Sequence, residues 1–171
     1  MTGEELMESR PRSRWRRWLL DPVLAVLRQG MSAERVSWTI AIGIVLAVFP
    51  VVGTTTMLCV VVAWALGLNQ ALVQAFNWLL YPLHIALILV FIRLGERLYG
   101  APPLRLSLPE MMARFEADPL KFFSDFGLAA WHGVSAWLLI APFAVLLIKL
   151  VVTPLVRSLA SSIRKRKEAR P

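Results

Sequence analysis

Cysteine is almost absent from this sequence: Cys59 is the one thiol in 171 residues. No disulfide and no cysteine-based zinc site can be built from it. Charge is scarce too, at 18% of residues against roughly 25% in soluble domains. Apolar residues reach 57%, and the mean hydropathy is +0.61. This balance argues against a soluble globular enzyme, a disordered tail and a secreted disulfide scaffold. Acids are outnumbered, 11 against 19 Lys and Arg, for a net charge of +8. In a soluble protein that excess would suggest nucleic acid. Here the cations lie outside the apolar stretches, so the expected partner is the lipid bilayer and not nucleic acid.

No Asp, Glu, Lys or Arg occurs from Val36 to Ile92, and none from Gly127 to Ile148. A helix needs roughly 20 apolar residues to cross the hydrocarbon core, so 127–148 reads as a final span. The longer stretch is punctuated by Pro50, Gly53, Asn69 and Pro82 and holds more than one element. Residues 1–35 hold seven Arg against five acids, and 149–171 hold seven cations against one acid. Cations near span ends favour the cytoplasm, which puts both termini there. The membrane core domain, 36–98, must then cross an odd number of times. Val36–Phe49 and Thr55–Leu68 are too short to cross comfortably, at about 21 Å each. The sequence therefore predicts a re-entrant hairpin over 36–68 and a full span over 71–92. Three short crossings are the alternative with the same parity. The fold class is all-α, a polytopic membrane protein with a Pro/Gly-broken hairpin.

Outside the core, Met1 to Glu8 is acidic and lacks the features of a secretory signal. Trp15, Trp18, Leu19, Val23, Val26 and Leu27 share one helical face flanked by Arg, the pattern of a helix lying in the membrane interface. A helix packed on the protein itself is the rival reading. Asp21-Pro22 can start that helix and Gly30 can stop it; Ser32 can cap the next, with Glu34 in its first turn. In the outer amphipathic segment, 99–126, Ser107 and Glu110 form a capping-box pattern that predicts a helix over about 108–117. Asp118-Pro119 restarts helix, which leads through Phe122, Phe123 and Phe126 into the last span. The basic run Arg164–Lys167 lies in the 149–171 tail.

Two features of the core carry the candidate site. Thr39, Gly43 and Ala47 recur at helical spacing, as do Cys59, Ala63 and Gly67, so the hairpin arms are expected to pack on each other through small residues. Their connection, with Gly53, Thr54, Thr55 and Thr56, cannot stay helical, and its hydroxyls can satisfy freed backbone groups. Gln70, Gln74, Asn77, Tyr81 and His84 then fall on one face of a continuous helix. Polar groups are costly against lipid, so that face must look inward. It either holds helices together, with the threonine tip as partner, or lines a path for an amphipathic substrate, as broken helices do in transporters. Pro82 is expected to kink the helix beside the stripe. Arg93 and Arg97 are candidate lipid-headgroup contacts at its end. Ala129, Gly133 and Ala136 form another small face, beside His132. No nucleophile, base and orienting group come together in the sequence, and no spacing suggests a metal or cofactor, so no enzyme activity is expected.

Ala41-Ile42-Gly43, Pro50-Val51-Val52-Gly53-Thr54-Thr55, Asn69, Tyr81-Pro82 and Leu94-Gly95 together resemble the bacterial membrane family called domain of unknown function 2062. The resemblance covers about residues 31–98. Much of that family carries Asn-Pro-Leu-Thr where this chain has Tyr81-Pro82-Leu83-His84. The resemblance implies a multi-pass protein of the bacterial inner membrane, with a role in envelope or lipid metabolism. Two functions follow as expectations. One is a small transporter or flippase-like factor for a lipid or other amphipathic molecule, which would work as a homo-oligomer. The other is a non-catalytic scaffold or accessory subunit for an envelope or lipid-synthesis enzyme.

Overall fold

The computed structural model describes residues 14–103 and 108–168, with no strand among them. Seven described helices follow one another: α1 (Arg14–Arg28), α2 (Ala33–Ala47), α3 (Thr55–Ala65), α4 (Gln70–Leu79), α5 (Tyr81–Tyr99), α6 (Leu108–Ala117) and α7 (Pro119–Glu168). The all-helical class is as the patterning predicts.

Local chemistry sets most boundaries. Ser32 Oγ accepts from the Arg35 amide at 3.3 Å and starts α2. Pro50 has no amide to extend α2 and disfavours helix in Phe49 before it. In the connection, the Thr54 hydroxyl donates to the Val51 carbonyl at 3.0 Å. Gly67, at φ +61°, ends α3: its amide reaches the Trp64 carbonyl at 3.2 Å and the Leu68 amide the Ala63 carbonyl at 2.8 Å. That paired closure is the Schellman motif. Asn69 Oδ1 then accepts from the Leu72 amide at 2.9 Å and opens α4. Helix α6 falls on the predicted 108–117, while Ser107 of its expected capping box lies outside the described residues. Asp118 Oδ1 accepts from the Lys121 amide at 3.0 Å, so α7 starts where Asp118-Pro119 predicts.

Helix α7 is the axis of the structure. It is 50 residues long, roughly 75 Å, and runs well past the expected 127–148 at both ends. Pro142 and Pro154 lie inside it. Helix α2 runs antiparallel to it, fixed at three heights. Lys149 Nζ meets Glu34 at 2.6 Å, Trp137 Nε1 donates to the Val45 carbonyl at 3.1 Å, and Pro50 lies against Gly133. The α2–α3 connection thus sits near the N-terminal half of α7. Leu66 and Leu68 come back beside Met31, Arg35 and Trp38 at the start of α2, so the hairpin begins and ends on the Lys149 side. The Lys149 hydrogen bond, with the Lys149 and Arg157 charges, holds the Glu34 carboxyl below its ordinary pKa.

The hairpin arms meet as expected, Val45 and Leu46 sharing a buried cluster with Cys59 and Ala63, while a third helix joins them and one expected helix start is corrected. Helix α4 lies against both hairpin arms: a Cβ on Gly43 would sit 3.4 Å from Val73 Cα, and Val73 shares a buried cluster with Cys59 and Ala63. A small-residue face accepts any backbone that comes close, and α4 follows at once with an apolar face of its own. Helix α1 packs on the rest of the chain. Its Val23, Val26 and Leu27 are buried against Val36, Ile40, Leu72, Phe76 and Val156, the rival reading of the sequence. It also runs straight through Asp21-Pro22. An internal proline costs about 3 kcal/mol, and burying three aliphatic side chains at about 1.5–3 kcal/mol each outweighs it.

The small face of α7 is covered by α5. Gly95 lies so close to His132 that an added Cβ would overlap the His132 carbonyl, and one on Gly133 would come within 3.3 Å of Ile92. Beside this crossing Tyr99 stacks on His132 at 4.9 Å and its hydroxyl donates to Ser135 Oγ at 3.0 Å. Among the described helices α7 is long and apolar enough to cross a membrane. Helices α4 and α5 would make a second span if taken together across their bend of 71°.

Candidate functional site

The polar stripe needs a continuous helix over 70–92, and the structure breaks that helix at Leu80. The amide of Leu80 still reaches the Phe76 carbonyl at 2.9 Å and its carbonyl receives the His84 amide at 2.8 Å, so the chain pivots while keeping its hydrogen bonds. Pro82 falls in the first turn of α5, where its missing amide has no helical partner to lose. The proline expected to kink one span begins a second helix.

The stripe is divided accordingly. On α4, Gln70 Nε2 donates to the Val60 carbonyl at 2.8 Å and Gln74 Nε2 to the Thr56 carbonyl at 3.3 Å. Asn77 Nδ2 donates to Thr56 Oγ1 and to Gln74 Oε1, both at 3.2 Å. A carbonyl has two lone pairs, so the Val60 and Thr56 acceptors can serve α3 and α4 together. Three amides thus tie α4 to one turn of α3, from Thr56 to Val60, and Thr56 is the tip hydroxyl that joins the stripe. Thr55 is buried, while Gly53 and Thr54 are exposed at the connection.

On α5 the other two residues part from the amides. Tyr81 is 50% exposed and stacks on His84 at 5.9 Å. His84 is 1% exposed, and neither ring nitrogen has a hydrogen-bond partner among the described residues. The Ala47 carbonyl near the end of α2 faces the ring without reaching hydrogen-bond geometry. At the far end of α5, Arg93 holds Glu96 at 2.7 Å, with the carboxylate side chain buried; Arg97 is exposed. Glu96 was not among the residues the sequence singled out for a site, although its i,i+3 spacing from Arg93 is readable. Nothing in the sequence pattern marks the Trp137–Val45 bond. Among the described residues no three His, Cys, Asp or Glu side chains come together as a metal group would require.

Through these bonds α4 is clamped laterally to α3. A double-mutant cycle measures it. Asn77→Leu and Thr56→Val should each destabilise the chain in detergent micelles, with a coupling of about 1 kcal/mol in thermal or denaturant unfolding. Strict additivity would mean that the Asn77–Thr56 bond is energetically idle.

The family model described as an uncharacterized protein conserved in bacteria, DUF2062, matches residues 16–166. The chain belongs to this family. The DUF2062 match extends from α1 almost to the end of α7, well beyond the 31–98 stretch that carries the motifs. The α1 packing and the long α7 therefore fall within the DUF2062 unit. No curated protein and no solved structure matches the chain.

Proposed function

We propose that this DUF2062 chain is a multi-pass protein of the bacterial inner membrane with both termini in the cytoplasm. In this reading its role is that of a non-catalytic scaffold or accessory subunit for an envelope or lipid-synthesis enzyme. The membrane placement is supported by exposure. The most apolar window of α7 is 6% buried, with Leu139, Phe143, Leu147 and Leu150 turned outward, where the core helix of a soluble protein would be covered. The hairpin that begins and ends beside Lys149 is then re-entrant from the cytoplasmic face.

One observation carries the choice of scaffold over transporter: Gln70, Gln74 and Asn77 each donate an amide N–H to α3, although Gln70 Oε1 is buried without a partner among the described residues. Amides bonded to a neighbouring helix hold it in place, whereas a substrate path needs polar groups left to solvate the cargo. On the cytoplasmic side, α7 continues about 30 Å past Lys149 with α1 packed on it and ends in the basic run Arg164–Lys167. That platform is the surface offered to a partner. Replacing Arg164, Lys165, Arg166 and Lys167 with glutamine should remove a defined set of proteins cross-linked to the chain in native membranes. An unchanged set would contradict the tail's role.

A transporter or flippase-like role is the second reading, and His84 is the observation that favours it. A buried imidazole without a partner, at a 71° break between helices, is where a moving element could gain a hydrogen bond. This reading requires a homo-oligomer, because one chain offers few helices for alternating access.

A further inference from the structure

Where the hairpin closes, just before the stripe begins at Gln70, the structure forms a cleft of about 310 Å³. Met31, Arg35, Trp38 and Ile42 line it from α2 and the turn before it, and Leu66 and Leu68 from the turn after α3. The left-handed Gly67 makes that turn tight enough to bring Leu68 back toward α2. Thr39 also lines the cleft, but its hydroxyl donates to the Arg35 carbonyl at 2.8 Å, which leaves the wall beside it apolar.

The charge at this end is unbalanced. Glu34 is the nearby acid, and it is engaged by Lys149 at 2.6 Å and by Arg157 at 3.6 Å. Lys149 Nζ also sits 4.3 Å over the Trp38 ring. Arg35 is exposed and forms no ion pair with any described residue. Two cations therefore engage Glu34, and Arg35, next to it in the chain and without an ion-pair partner among the described residues, lines the cleft. Its five donors in a planar fork suit a phosphate.

We infer that this cleft holds the phosphate-bearing headgroup of an anionic glycerolipid from the cytoplasmic leaflet. Arg35 binds the phosphate, Trp38 flanks the headgroup, and the first methylenes lie along Ile42, Leu66 and Leu68. The volume matches the lower end of small-molecule sites, roughly 300–1,000 Å³, enough for a headgroup while the acyl chains stay in the bilayer. Cations near this leaflet's surface attract anionic lipid. The inference rests on the membrane placement proposed above but not on the scaffold role.

The test titrates the full chain in neutral detergent micelles with dioctanoyl phosphatidylglycerol, dioctanoyl phosphatidylcholine and inorganic phosphate, read by native mass spectrometry. Both lipids present the phosphate to Arg35, but choline brings a further cation beside Arg35 and Lys149, so phosphatidylglycerol should be retained about tenfold more tightly than phosphatidylcholine. Arg35→Gln should remove that preference, Ile42→Trp should block the cleft to both lipids, and Lys121→Gln at the far end of α7 should change neither. Equal retention of both lipids by the wild type, or equal losses in Arg35→Gln and Lys121→Gln, would overturn the site. So would inorganic phosphate binding as tightly as the lipid. A chain that partitions into the aqueous fraction of cells would overturn the membrane placement and the lipid site together; a membrane-bound chain without lipid preference overturns the lipid site alone.

Discussion

Gly95→Ala should unfold or severely destabilise the chain, although it adds one methyl group. The new Cβ would overlap the backbone carbonyl of His132, and backbone cannot swing aside as the end of a flexible side chain can. Relief requires α5 and α7 to move apart. That motion strips contacts from Ile92 and Gly133, which meet beside it, and pulls Tyr99 off His132 and Ser135. Overpacking a core costs about 1–3 kcal/mol when side chains can adjust, and a backbone clash at a helix crossing should cost at least the top of that range. The control is Gly127→Ala. Nothing lies within 4 Å of a Cβ there, and the residue is in α7, so alanine should be neutral or gain up to about 1 kcal/mol from helix propensity. Thermal unfolding of both variants in the same detergent distinguishes them. Equal melting temperatures would mean that α5 and α7 do not cross at Gly95.

Trp137→Ala should cost about 3–5 kcal/mol, the usual range for emptying a large aromatic site in a core. Trp137 is buried among Val45, Leu46, Phe91 and Ala136, and its ring meets Phe49 edge-on at 5.0 Å. Its Nε1–H also satisfies the Val45 carbonyl at 3.1 Å, close to the end of α2. Trp137→Phe keeps most of the apolar contact and removes that bond, so it should cost closer to 1–3 kcal/mol, the price of a buried acceptor left without its donor. The measured quantity is unfolding free energy, with the hairpin followed by protection of the Leu46 and Ala47 amides from hydrogen exchange. If Trp137→Phe behaves as wild type, Trp137 holds α2 through packing alone.

What could be read from the sequence was mostly local. Ser32, Asn69 and Asp118 act within three residues of themselves, and helix starts at all three places follow from side-chain chemistry that no distant contact alters. The helix over 108–117 was legible for the same reason, as was the placing of Gln70, Gln74 and Asn77 on one face of α4. The break at Leu80 was not. Pro82 is compatible with a kinked span or with the first turn of a new helix, and tertiary contacts of the flanking helices decide between them. Helix α1 shows a similar limit. Its apolar face was evident, but its partner Val156 lies 130 positions further along the chain, on a stretch of α7 that the charge pattern marks as a tail. Gly95 was visible as a family motif, yet the reason for it appears only when His132 arrives from another helix. The cleft at Arg35 joins two turns of chain distant in sequence, and no periodicity links Trp38 to Leu68.

In the proposed membrane setting the amide stripe is a dry clamp between α3 and α4. It is tested most directly by thiol accessibility in native membranes. In a Cys59→Ala background, single cysteines at Gln70, Gln74, Asn77 and His84 are exposed to a small impermeant maleimide from the cytoplasmic side. Labelling is expected at Gln70, little at Gln74, and none at Asn77 or His84 until the membrane is dissolved and the chain unfolded. Steady labelling down to Asn77 and His84 in intact membranes would mean a water-filled path, and the clamp would have to give way to the transport reading.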